Sequence, residues 1–193
     1  MNYKLLGALA IICAPFLCID FFVNGAQPVQ SWTTGLFGFI YMIGWMCSII
    51  ALQSLMATGT GYFGKVILVI QLFLLSMAQV WNIAVILRVS QDSFWFRFFD
   101  PCWPFSNICM LIVGIAVIVA KVLHGWRGFV PLAVGLWLPL SGIVAFLFNS
   151  SVLPYTSGIY SAVAWTLLGI VVYTTKPAVN EEDGLTISKA ELV

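Results

Sequence analysis

Six stretches of this chain, residues 5–23, 32–57, 66–87, 105–123, 129–148 and 157–175, are apolar on every helical face and almost free of charge. A helix needs about 20 apolar residues to cross the hydrocarbon core of a bilayer. A core helix of a soluble protein shows one apolar stripe, whereas a membrane helix is apolar all round. The pattern predicts an all-α, polytopic membrane protein. Six transmembrane helices are expected in one bundle spanning residues 1–176. The separators carry turn chemistry: Asn24-Gly25, Thr58-Gly59-Thr60-Gly61, residues 88–104, His124-Gly125 and Asn149-Ser150-Ser151. No small-x-small cleavage motif follows the first run, which therefore reads as a retained first span.

Charge is scarce and unevenly placed. Only 15 of 193 residues are Asp, Glu, Lys or Arg, and six of them lie in the last eighteen positions. A soluble domain carries roughly a quarter. Residues 177–193 are expected to form a polar, acidic and flexible tail. Lys and Arg in short loops set orientation. Six of them (Lys4, Lys65, Lys121, Arg127, Lys176 and Lys189) fall on the side shared by both termini, against Arg88 and Arg97 on the other. The bias predicts a multi-pass integral membrane protein with both termini in the cytoplasm.

The same scarcity limits chemistry. A net charge of +1 gives no reason to expect a nucleic-acid partner. The five cysteines form no CxxC pair, and His124 is the only histidine, so no metal or cofactor is expected. Intramembrane hydrolysis needs Ser with His, paired Asp or a metal cluster. Asp20 with Asp92 or Asp100 is the only conceivable acid pair, and an enzyme is the least supported class.

Helices associate in lipid through small residues and polar contacts. Gly128, Gly135, Gly142 and Asn149 recur every seven residues in the fifth run and predict a packing seam. Pro139 lies centrally in that run, where proline removes a backbone donor and frees a carbonyl. The third run carries Gln71, Ser76, Gln79 and Asn82. At about 100° per residue, Asn82 lies about 20° from Gln71 and Gln79 about 80°. Amides facing lipid would lack partners, so this stripe is expected to face inward. Tyr41 and Ser48 of the second run, Ser141 and Asn107 are candidate partners. The stripe reads either as an interhelical clamp or as a polar lining for a small solute.

Residues 88–104 are the least generic segment. Seven of the twelve residues from Phe94 to Phe105 are aromatic, including Trp95 and Trp103. Arg88 with Asp92, and Arg97 with Asp100, have spacings that close on a helix. A short interfacial aromatic helix or loop is expected between the third and fourth spans. Asp20, the only acid within an apolar run, lies at the same end of the bundle. An aromatic belt, a lid pairing Arg88 or Arg97 with Asp20, and a docking surface are all open readings.

Two functional classes fit. The preferred one is a non-enzymatic membrane subunit, sensor or chaperone acting through helix and outer-loop contacts. Its partners would be the bilayer, another membrane protein or a second copy. The alternative is a carrier or channel for a small neutral or amphipathic solute. In size, helix count and the Ala10-x-x-x-Ala14 pattern, the chain resembles the substrate-binding subunits of energy-coupling-factor vitamin transporters. That resemblance extends to architecture and one pattern, and it assigns no substrate and no residue.

Overall fold

Without water to satisfy peptide groups, an apolar chain pairs each N–H and C=O within its own segment, and helix is the solution. The computed structural model describes residues 2–25, 31–90, 92–147 and 153–175. Among these, the regular structure is entirely helical. Five helices are long and apolar enough to cross a membrane: Tyr3–Asn24, Trp32–Ser54, Tyr62–Ile86, Phe94–Ala120 and Leu153–Thr174. Gly125–Gly135 and Trp137–Leu147 form a pair bent by 55°, which brings the number to six if the pair is one span. The set fits a multi-pass membrane protein. The tail from 177 and Asn149 lie outside the described residues.

Proline writes the breaks. The first span divides into α1 (Tyr3–Cys13) and α2 (Phe16–Asn24) around Ala14-Pro15. Trp32–Ser54 is α3 and Tyr62–Ile86 is α4. The aromatic segment forms α5 (Phe94–Phe99) and runs into α6 (Cys102–Ala120). Pro101 and Pro104 bracket the first turn of α6, where a missing N–H costs least. A 3-10 turn over Gly125–Phe129 leads into α7 (Val130–Gly135), followed by α8 (Trp137–Leu147). Pro139 has no N–H for the carbonyl of Gly135, and its ring crowds that carbonyl. The chain bends there. The last helix, α9, spans Leu153–Thr174.

The helices close a ring. The first span packs on α3 and α9, α3 on α4, α4 on α6, α6 on α7, and α7 on α9. Small residues permit these approaches. A Cβ on Gly44 would sit 3.3 Å from the Ala10 carbonyl, and one on Gly169 would sit 3.2 Å from the Ala10 Cβ. Ala10 therefore marks where α1 meets both α3 and α9. The centre is filled by an aromatic column. Trp165 packs edge-on to Trp45 at 5.0 Å, near Tyr41 at 5.4 Å and Trp137 at 6.5 Å, and Trp137 meets Trp103 at 5.1 Å. Outward-facing Leu5, Ile12, Phe73, Val119 and Phe146 are exposed, the arrangement that lipid rather than water accommodates.

Candidate functional site

The site is built around the one acid within an apolar run. Beyond the Pro15 break, α2 carries Asp20 toward its C-terminal end, where Gly25 stops the helix with φ +76°. Asp20 is only 7% exposed. Asn24, one turn later, donates from Nδ2 to Asp20 Oδ1 at 2.6 Å. The Asn24 side-chain carbonyl accepts from Ser31 Oγ at 3.2 Å and Thr33 Oγ1 at 3.1 Å. Two hydroxyl donors on that oxygen turn the amide nitrogen toward the acid. Ser31 and Thr33 also touch each other, and Ser31 caps α3 by accepting from the Thr34 N–H at 3.3 Å. One polar network thus starts α3 and holds the carboxylate, with Thr34 beside it.

A cavity of about 220 Å³ opens beside this acid. Its walls include Asp20, Tyr41, Trp81, Asn82, Asp100 and Trp103, drawn from α2, α3, α4 and the α5–α6 junction. All of these helix ends lie at the same end of the bundle. Among the described residues no Lys, Arg or His lines it. The Trp81 Nε1–H and the Tyr41 hydroxyl are buried without a hydrogen-bond partner. Beneath Tyr41, the Ser161 hydroxyl faces it without closing a bond of ordinary geometry, and Trp45 and Trp165 Nε1 are likewise unpartnered. Buried polar atoms are paired as a rule, and these are exceptions to it.

The amide stripe divides by depth. Asn82 Nδ2 donates to Gln79 Oε1 at 3.0 Å, and Gln79 Nε2 donates to the Phe39 carbonyl of α3 at 3.0 Å. Gly38 leaves the room that Asn82 fills: a Cβ there would collide with Asn82 Oδ1. Gln71 is fully buried, yet neither amide atom finds a partner among the described residues, and it does not line the cavity. It lies eleven residues from Asn82, or about 16 Å along the helix. None of the candidate partners meets the stripe. Ser48 bonds back to the Gly44 carbonyl, Asn107 to Trp103, Ser141 pairs with Ser157, and the Tyr41 hydroxyl bonds to none of the amides. Ser76, of the stripe itself, bonds back to Leu72. Ser and Asn within helices readily satisfy themselves on the preceding turn. Asn82→Leu is expected to cost about 1–2 kcal/mol, because it strands the Gln79 carbonyl. Ile83→Leu, at a 41% exposed position, is expected to be neutral. Thermal melts of the two variants check this, and equal melting would show that the clamp contributes nothing.

The aromatic segment contributes selectively. Phe96 is buried against Trp81, with ring centres 5.3 Å apart, so α5 backs the cavity wall. Asp100 and Trp103 reach the cavity, while Trp95 points away and is exposed. Arg97 pairs with Asp92 at 2.9 Å, both largely solvated, and a pair of that kind contributes little. The spacing had instead matched Arg97 with Asp100 and Arg88 with Asp92. Arg88 leaves α4 with φ +55° and lies outside the short helix, and Asp100 is exposed where it lines the cavity. Neither arginine is paired with Asp20. The glycine seam also divides at the bend. Gly135 packs on the backbone of Leu111, Gly128 lies against the Leu123 carbonyl, and Gly142 and Pro139 face outward.

In the sequence, Thr34 and Tyr41 stand at heptad spacing on the second run with Gly38 between them, a small-residue stripe that reads as a helix interface or the wall of a solute path, and all three line the cavity. Trp81 was not singled out, although its adjacency to Asn82 was a signal. No protein-family model, curated protein or solved structure matches this chain.

Proposed function

We propose that this protein is a six-span, non-enzymatic membrane protein that binds a small amphipathic solute in the cavity beside Asp20, as a carrier or its receptor subunit would. The observation that carries this reading is the cavity itself, about 220 Å³, lined by Asp20 and Asn82 together with Trp81, Trp103 and Tyr41. Counting the bent pair as one span is supported by its place between α6 and α9 in the ring. With six spans, the excess of Lys and Arg on the other side supports cytoplasmic termini and a cavity opening to the outer face. The break at Pro139 supports a bundle that can flex.

The test is a melting screen of the purified full-length protein against small amphipathic alcohols, amides and amines. Saturation at a hundredfold over Kd stabilises a binding protein by about 2.7 kcal/mol. At least one compound is expected to raise the melting temperature. Ala78→Phe, which fills the cavity from its wall, is expected to remain folded and lose the shift. No shift with any compound, or a shift that survives Ala78→Phe, would reject the reading.

One observation favours the contact class as a second reading. Phe94 and Trp95 of α5 are 70% and 64% exposed, and Phe98 lies open beside them. Rings of this kind suit the membrane–water interface or a partner helix. Native purification distinguishes these, since a stoichiometric partner lost on Trp95→Ser would favour contact.

A further inference from the structure

We propose that the ligand of this cavity is a small organic cation, an amine or quaternary ammonium, held by the Asp20 carboxylate within walls of Trp81, Trp103 and Tyr41. The inference rests on the solute-binding reading and names the chemistry of its ligand.

Three observations converge on it. The first is charge: Asp20 and Asp100 both line the cavity, and no basic residue does among the described residues. The ion pair at this end of the bundle, Arg97 with Asp92, lies outside the lining. A carboxylate at membrane depth with only neutral donors around it is costly to keep. Asn24 and Thr34 orient the group without neutralising it. The second is the wall. Indole and phenol rings attract a cation over their faces, and Trp is the strongest of them. Trp81, Trp103, Tyr41 and Phe21 put four aromatic residues on the walls of the cavity that Asp20 also lines. The third is volume. At about 220 Å³ the cavity exceeds the engineered 150 Å³ site that holds benzene, and falls below the ≈ 300–1,000 Å³ of drug-sized pockets.

Other ligand classes fit less well. An anion would meet two carboxylates. A hard metal cation asks for six or more oxygen ligands, and these walls are mostly carbon. A neutral solute would leave Asp20 without a counter-charge. Asp100, exposed at the mouth, would concentrate cations there before they enter.

The test uses charge-matched pairs on the purified full-length protein at neutral pH. Choline is compared with dimethylbutanol, its uncharged carbon isostere, and benzylammonium with benzyl alcohol. Binding is read from tryptophan fluorescence and confirmed by calorimetry. At least one cation is expected to bind about tenfold or more tightly than its neutral match. Asp20→Asn is expected to erase that preference and keep the neutral affinity within about twofold. Trp81→Leu is expected to reduce the preference and serves if Asp20→Asn does not fold. Neutral compounds binding as tightly as their cations, or a preference that survives Asp20→Asn, would overturn the cation assignment and leave solute binding intact. If neither cation binds and only alcohols or amides of the melting screen do, the cation assignment alone falls. If nothing in the screen binds, both fall.

Discussion

Gly135→Leu is expected to abolish the folded protein or to destabilise it by about 3 kcal/mol or more. A Cβ at position 135 would stand 2.5 Å from both Cα and N of Leu111. These are backbone atoms of α6, so no side-chain rotation relieves the clash. The contact is reciprocal. Gly114 of α6 faces the backbone of Leu132 in α7 as closely. Two helices are therefore in near main-chain contact on either side of one crossing, and leucine would push them apart along its length. Folded proteins have about 5–15 kcal/mol in reserve, so one such change removes a large share. Gly142→Leu is the control from the same seven-residue series, because nothing lies within 4 Å of a Cβ there. Size-exclusion profiles and thermal melts should show aggregation or a sharp drop for Gly135→Leu and near-normal behaviour for Gly142→Leu. Normal melting of Gly135→Leu would mean that α6 and α7 do not meet at that glycine.

The second large effect is expected at Trp165. Its ring meets Trp45 edge-on at 88° and also touches Tyr41 and Trp137. Truncating a buried aromatic side chain to alanine costs about 3–5 kcal/mol in soluble cores. In lipid the transfer part of that cost shrinks, because the separated helix also sits in an apolar medium. The cavity and the lost ring contacts remain, each ring pair being worth about 0.5–1.5 kcal/mol. Trp165→Ala is therefore expected to lose about 2–4 kcal/mol, and Trp165→Phe less than half of that. Denaturant titration of the purified protein measures both. A loss below about 1 kcal/mol would show that the aromatic column does not hold the centre together.

Much of the helical layout was legible because apolar runs free of charge have one solution in lipid. Connectivity alone brings Asp20, Asp100 and Trp103 to one end. Asn82 and Gln71 share a buried face, as the helical angle implies. Angle carries no depth, however, and depth decides that Asn82 lines the cavity while Gln71 does not. Gln79 found a backbone carbonyl, that of Phe39, and backbone acceptors leave no trace in composition. Pro139 marked where the fifth run would break. The 55° turn depends on what α7 and α8 each pack against, which no local pattern encodes. Arg97 pairs with Asp92, five residues away, and Asp100 lines the cavity instead. Charge spacing along a segment does not choose between two acids within reach of one arginine.

The bend at Leu136 has a mechanical consequence. Of the residues in α8 only Trp137 is buried, and the helix is tied down chiefly at Ser157, through the Trp137 Nε1 bond of 2.8 Å and the Ser141 hydroxyl at 2.9 Å. The ring is thus thinly anchored along α8. That helix meets the cavity wall at a ring contact, where Trp137 packs on Trp103 at 5.1 Å. On the solute-binding proposal, a change of angle at the bend would reach the site through that pair of indoles.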